Sequence, residues 1–380
     1  MTIRKILATL LALSMTLSLA ACGGNSTQTD TTQSEQTEQA EEASSVPDES
    51  ESDESAPDET TAENTETETP ADETEASEPA EKVDINLAAL SGPTALGMLD
   101  LLEKNENGEA ANNYNVTIAT APDEVTGKII SGELDIAAVP TNVASTLYNK
   151  TEGQVQIAAL NTMGVLYVLE TGDTIQSVAD LTGKTIYATG QGSTPEYALN
   201  LVLEKNGLTP GEDVEIVFAA DNAEIAPLLA SGEAQVALLP QPFVSSVLTQ
   251  NENVRVALDL TEEWDKAVNG ESGLTMGCVV VRKEFAEQNK EALDRFLDEY
   301  KQSVETVTSE EGLAHAAELA EHYNIIKAAV AEKAIPECNI VFVEGDEMQQ
   351  IAGGFLQVLY DANPQAVGGQ LPNDDFYYKR

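Results

Sequence analysis

The chain has 380 residues and a formal charge of −47, with 66 acidic residues against 19 basic ones. So acidic a polymer is repelled by phosphate backbones, whose recognition needs clustered Lys and Arg, and this excludes nucleic acid as a partner. Three cysteines and two histidines are too few for a disulfide scaffold or a Cys/His metal cluster.

The first residues are an address. Arg4 and Lys5 precede a predominantly apolar run from Ile6 to Ala20, the length of a signal-peptide core and short for a membrane span. It ends in Leu19-Ala20-Ala21-Cys22-Gly23-Gly24, which resembles the lipobox of bacterial lipoproteins. The resemblance implies removal of residues 1–21 and a diacylglycerol on the Cys22 sulfur. The alternative is an ordinary secretory signal in which Cys22 is incidental. No later apolar run approaches membrane length.

Residues 22–82 read as an acidic linker. From Asn25 onward they are mainly Thr, Ser, Glu, Asp, Gln, Ala and Pro, with no aromatic residue, only Val46 as a β-branched aliphatic, and 20 acids between Asp30 and Glu81. Such a segment buries too little apolar surface to offset its ordering entropy, so disorder is expected, extended by self-repulsion. Without residues 1–82 the chain keeps about 300 residues, a length that commonly forms two lobes, and a net charge of about −30.

From Val83 short apolar runs alternate with helical periods. Strands are predicted at 84–90, 114–119, 134–139 and 155–160, with helices at 94–105, 122–131 and 141–149 between them. The series then recurs: strands at 184–188, 214–218, 235–239 and 254–258, helices at 194–206, 222–231 and 242–249. Residues repeat as well as pattern. Ser131-Gly132-Glu133 precedes the strand ending at Pro140, and Ser231-Gly232-Glu233 precedes the strand ending at Pro240. This argues for two related α/β lobes, each a mostly parallel sheet covered by helices.

Two stretches should connect the lobes. Asn161 to Thr171 leads out and Gly273 to Arg282 leads back, each with a Thr-Met-Gly before an apolar strand (Thr162-Met163-Gly164 and Thr275-Met276-Gly277). From Lys283 the chain reads as mainly helical, with an amphipathic spacing of Leu293, Phe296, Leu297, Tyr300, Val304 and Val307. The expected division is lobe 1 at about 83–170 plus 275–380 and lobe 2 at about 171–274. Cys278 and Cys338 could form a disulfide, and Cys278, inside an apolar run, could equally be a buried thiol.

In open α/β sheets ligands bind beyond the carboxyl ends of the strands, where helix N-termini expose free N–H groups. Four segments fall there: Ser91-Gly92-Pro93-Thr94, Pro140-Thr141-Asn142, Gly190-Gln191-Gly192-Ser193-Thr194-Pro195 and Pro240-Gln241-Pro242. Each alone is ordinary turn and cap chemistry. Four at equivalent places in duplicated lobes point to one shared cleft. Met163 joins them from the first crossing.

These pieces resemble solute-binding proteins of the nitrate/sulfonate/taurine/thiamine-precursor importers. The matching residues include Ser91-Gly92-Pro93, Gly132-Glu133-Leu134-Asp135-Ile136-Ala137, Asp180-Leu181-Thr182-Gly183-Lys184-Thr185, the loop 190–195 and Leu238-Leu239-Pro240-Gln241-Pro242-Phe243. The resemblance implies a type II periplasmic binding protein fold and capture of a small organic or oxyanion solute. It implies delivery to an ABC permease with its ATPase, an extracytoplasmic place with membrane contact through Cys22 only, a monomer, and no cofactor. Motif by motif it puts ligand contacts at Ser91, Gly92, Thr141, Asn142, Thr162, Gln191, Gly192, Ser193 and Thr194. Asn222 and Glu224 follow only from the helix start after Phe218.

No Arg lies in these loops, and Lys184 begins a strand. An oxyanion would then rely on helix N-termini and hydroxyls, whereas a neutral or cationic nitrogen compound, such as a pyrimidine, would use Glu224 or Asp221 with Trp264 or Tyr197 as stacking partners, unless those rings simply pack. The balance of these residues favours a neutral or heterocyclic organic solute. An enzyme finds little support: no HExxH, no nucleophile elbow, and only His315 and His322 in a helical segment. A ligand sensor or adhesin using the same cleft is the other alternative.

Overall fold

The computed structural model describes residues 81–120, 122–270 and 272–380. The signal-peptide segment, Cys22 and the linker up to residue 80 lie outside the described residues. The first series is β1 (Asp84–Leu90), α1 (Pro93–Leu96), α2 (Leu99–Glu106), β2 (Asn113–Ala119), α3 (Pro122–Ser131), β3 (Ile136–Pro140), α4 (Thr141–Lys150) and β4 (Val155–Met163). The second is β5 (Leu166–Thr171), β6 (Thr185–Ala188), α5 (Thr194–Lys205), β7 (Glu215–Phe218), α6 (Asn222–Ser231), β8 (Val236–Pro240), α7 (Phe243–Gln250), β9 (Val254–Asp259) and α8 (Leu260–Ala267). The chain returns through β10 (Thr275–Arg282) and closes with α9 (Lys283–Gln288), α10 (Lys290–Thr308), α11 (Leu313–His322), α12 (Ala328–Ala334), β11 (Ile340–Val343) and α13 (Gly345–Ala362).

The Ser-Gly-Glu repeat is a helix stop. α3 and α6 both end at its serine, and Gly132 and Gly232 both take φ 81°, the left-handed cap that a Cβ would strain. The chain then enters β3 and β8, each of five residues with four buried in a row.

Two sheets result. One has the order β11-β4-β10-β3-β1-β2 and the other β7-β6-β8-β5-β9. In each, three strands run parallel (β2-β1-β3 and β7-β6-β8), and the strand by which the chain has just arrived, β10 or β5, inserts antiparallel beside the third. Being central, β10 is buried on both faces, which is why Cys278-Val279-Val280-Val281 is a continuous apolar run. Val279 and Val281 point into a core with Leu87, Ile136, Phe296 and Leu297, and the alternate Cys278 and Val280 point into the other. That second core runs on through Leu160, Leu166, Val168 and Leu238 to Trp264 of α8 and Phe355 of α13, whose rings lie 5.9 Å apart.

All six residues of the amphipathic spacing in α10 are buried. Three features escape the periodicity. The helix expected at 94–105 is broken at Gly97-Met98, where the chain turns inward and buries Met98 and Leu99. Ile340-Val-Phe-Val is a strand at the edge of the first sheet, inside a region read as helical. The helix α8 carries the buried Trp264. The sulfur alternatives resolve to buried free thiols at both Cys278 and Cys338.

Candidate functional site

The connections between the sheets decide which loops share space. β4 runs parallel to β3, both being antiparallel to β10, and ends at Met163 beside Thr275. β5 begins at Leu166 beside Pro240, and β9 ends at Asp259 beside Tyr167. Both crossings therefore join the carboxyl-end edge of one sheet to that of the other. Outward from the crossings the strand ends come in matching order: β3 and β8, then β1 and β6, then β2 and β7.

Nearest the crossings the groups are buried hydroxyls. Thr141 and Thr275 are fully buried with their Oγ1 atoms 3.1 Å apart, and Thr162 donates to Asn161 Oδ1 at 3.1 Å. Gly277 makes this floor possible. A Cβ there would lie 2.5 Å from Asn161 Oδ1 and 2.7 Å from Thr94 Cγ2. Asn142 is half-buried, its Nδ2 3.4 Å from the Ala366 carbonyl, and Met163 and Pro240 are half-buried too. Gln241 keeps its backbone at the crossing, its N–H donating to the Val165 carbonyl at 3.0 Å, and turns its side chain back. It is buried, accepts from Ser245 N and Oγ, and lines a cavity of about 520 Å³ against α7 with Tyr167, Asp259, Lys333 and Glu337.

Further out, Ser91 is exposed, and Gly92, Pro93 and Thr94 are half-buried, with Thr94 Oγ1 donating to the Leu90 carbonyl at 2.9 Å. Across from them Gln191 and Gly192 are exposed and Thr194 is buried. Ser193 Oγ donates to the Gly190 carbonyl at 2.6 Å, and Glu196 Oε2 accepts the Gly192 N–H. At the outermost pair Thr189 Oγ1 donates to Asn222 Oδ1 at 2.9 Å. There Asp221 caps α6 through the Glu224 N–H at 3.1 Å, and Glu224 accepts from Ala220 N at 3.3 Å.

The structure brings all the proposed contacts to these two edges, although the Gln241 side chain turns back into α7. Of the proposed stacking partners, Trp264 is buried with Nε1 donating to the Ser272 carbonyl, whereas Tyr197 is half-buried in the first turn of α5, its hydroxyl accepting from Asn363 Nδ2 at 2.7 Å. Lys184 binds Thr174 Oγ1 at 3.0 Å, at the opposite end of β6. His315 and His322 face Glu103 and Glu106 of α2, far from the loops in the fold. Among the described residues no three His, Cys, Asp or Glu side chains converge as metal ligands. Sequence reasoning missed Thr275, Asn161 and Gly277. The repeated Thr-Met-Gly marked the crossings without showing that their side chains meet.

The family model described as "ABC transporter, phosphonate, periplasmic substrate-binding protein" matches residues 100–332. Among solved structures, an ABC transporter from Parabacteroides distasonis is similar with a TM-score of 0.66 at 25% identity, covering 78% of this chain and 99% of that one. The periplasmic aliphatic sulphonate binding protein SsuA from Escherichia coli shares the fold at 15% identity with a TM-score of 0.62, over 78% of this chain and 92% of that one. The alkanesulfonate-binding SsuA from Xanthomonas axonopodis pv. citri does so at 17% identity and 0.55, over 77% and 96%. No curated protein matches the chain. With the match spanning more than half of its length and the two-sheet architecture in agreement, this chain belongs to the periplasmic substrate-binding proteins of ABC transporters.

Proposed function

We propose that the protein captures a small organic or oxyanion solute between two lobes, one built on each sheet, and presents the closed form to an ABC permease and its ATPase. The observation that carries this is the pair of crossings, which join the sheets at their carboxyl-end edges and so bring equivalent loops together. Contacts to one solute from Thr94, Thr141 and Asn142 on the first edge and from Gly192, Ser193 and Asn222 on the second exist together only when the lobes close. Such differential contact is what shifts an open–closed equilibrium. The cleft binds its solute and does not transform it. The chain works as a monomer tethered outside the cell by lipidated Cys22, with the acidic segment as spacer.

The test is a thermal-shift screen of the full chain against nitrate, sulfonates, phosphonates, pyrimidines, amino acids and amines. A solute at a hundred times its Kd adds about 2.7 kcal/mol, which registers as a clear rise in Tm. Small-angle scattering should show the radius of gyration falling with the same solute. A panel without a hit, or a hit without compaction, counts against capture by closure.

A further inference from the structure

Where α13 ends, the chain passes between two helices that start at the strand-end loops. α13 packs on β4, β10 and α4 of the first sheet, and α5 packs on α8, which lies against β5 and β9 of the second. After α13 the chain makes a short 3-10 turn, Pro364–Val367, along α4. Ser145 Oγ and Asn149 Nδ2 donate to the Val367 carbonyl at 2.8 and 2.9 Å, and Asn142 Nδ2 lies 3.4 Å from the Ala366 carbonyl. Ala366 and Val367 are buried, and a Cβ on Gly368 would lie 2.9 Å from Thr146 Cα. The turn is therefore mounted on the first lobe, along the helix that starts with Thr141 and Asn142.

From that mount one side chain reaches the second lobe. Asn363 Oδ1 accepts from Gln365 N at 3.0 Å and so caps the turn, which fixes the amide and sends Nδ2 to Tyr197 Oη at 2.7 Å. Tyr197 stands in the first turn of α5, three residues beyond Thr194. Behind this bond the two helices are loosely apposed. A cavity of about 550 Å³ lies between them, lined by Leu201 and Lys205 of α5 and by Gly354, Val358 and Ala362 of α13. Groups that face a cavity have few partner atoms to lose, so α5 can part from α13 at small cost in packing while the hydrogen bond breaks.

The sign of the effect follows. In a parted form water takes the place of each partner, so the bond contributes only its net worth, a factor of roughly two to ten in an equilibrium constant. That factor falls wholly on the side of the closed form. Where the closed form is scarce without solute, apparent affinity is reduced in proportion to its scarcity, so the same factor carries into solute binding.

We infer that Asn363 and Tyr197 form an interlobe latch, which rests on the closure proposed above: the turn mounted on α4 holds the start of α5 and favours the closed form before any solute arrives. The Tyr197 hydroxyl is a positioning group. It acts through Asn363 on how Ser193 and Thr194 stand against Thr141 and Asn142.

The experiment measures lobe separation in the full chain without solute. With Cys22→Ser, the native thiols left are the buried Cys278 and Cys338, and Lys128→Cys in α3 and Ala223→Cys in α6 place spin labels at exposed positions, one on each lobe. Double electron–electron resonance then gives the share of molecules at the separation found in this structure. Tyr197→Phe keeps the ring and removes the hydroxyl, and should lower the ratio of closed to open molecules roughly two- to tenfold. Asn363→Ala, which removes the donor from the other side, should match it. Asn363→Asp should hold the parent ratio, because the tyrosine hydroxyl can turn and donate to the carboxylate. A bond that serves stability alone would lower Tm in the first two variants without moving this ratio, and that result overturns the latch. So does an Asn363→Asp variant as open as Tyr197→Phe. A parent chain found only at wider separation overturns it too, and compaction on solute binding, read by scattering, then decides whether capture by closure survives.

Discussion

The hydroxyls of Thr141 and Thr275 meet at 3.1 Å in full burial, joining the first turn of α4 to the first residue of the strand that returns from the second sheet. The pair links the start of α4, at the carboxyl-end edge of its sheet, to a crossing. Thr275→Val leaves the Thr141 hydroxyl buried without its partner and should cost about 1–3 kcal/mol, whereas Thr141→Val/Thr275→Val removes both polar groups and should cost less than the sum of the single changes. Urea denaturation of the four proteins measures the coupling, and strict additivity would mean that the two hydroxyls do not interact.

Gly277 is held by its neighbours, not by its backbone angles. Gly277→Ala forces Asn161 or Thr94 to move, and overpacking of this kind costs about 1–3 kcal/mol. Because Thr94 opens the first loop, the same change should weaken solute binding. An alanine variant with wild-type stability would show that the floor is looser than these distances imply.

The thiols should be inert in the folded protein. Burial pushes both up, that of Cys338 to about 12, so neither supplies thiolate at neutral pH. Iodoacetamide should leave Cys278 and Cys338 unmodified in the native chain and alkylate both in concentrated urea without prior reduction. Peptide mass spectrometry reads this directly, and a requirement for reductant would reveal a bridge.

His315 supplies a pH dependence. Its bond to Glu103 raises its pKa above the ordinary value of 6.5, against a smaller opposing effect of burial. The folded state therefore holds the proton more tightly. The stabilisation is complete below about pH 6.5 and is lost as pH rises through the raised value. The pair is half exposed, so its worth is no more than about 1 kcal/mol. The difference in Tm between the wild type and His315→Gln should be larger at about pH 5.5 than at about pH 8.5. An equal difference at both would mean that the histidine is not charged in this contact.

Much of the fold was legible because it rests on local physics. The Ser-Gly-Glu stops announce two helices of ten residues, each followed by a buried five-residue strand, and left-handed glycine caps explain why. The face of α10 was legible for the same reason, its apolar stripe having a single way to be buried. Ile340-Val-Phe-Val was not, since a short apolar run becomes a strand only when an edge, here β4, is free to pair with it. Helix starts and turn residues also mark the strand-end loops that hold Ser91 to Thr94 and Gln191 to Thr194. The same reading does not show that the Gln241 side chain turns back to Ser245, because side-chain direction at a helix start depends on which face its neighbours fill.

By itself the sequence determined the duplicated α/β units, the strand-end loops and the acidity, all properties of neighbours along the chain. Tertiary structure alone decided that β10 and β5 insert into sheets begun by other segments, and hence which loops face one another. It also decided that Thr275, Asn161 and Gly277 form one floor. The physical reason is that the pairing of β10 with β3 and the meeting of Thr141 with Thr275 are settled between residues more than a hundred positions apart, where no periodicity in the sequence reaches.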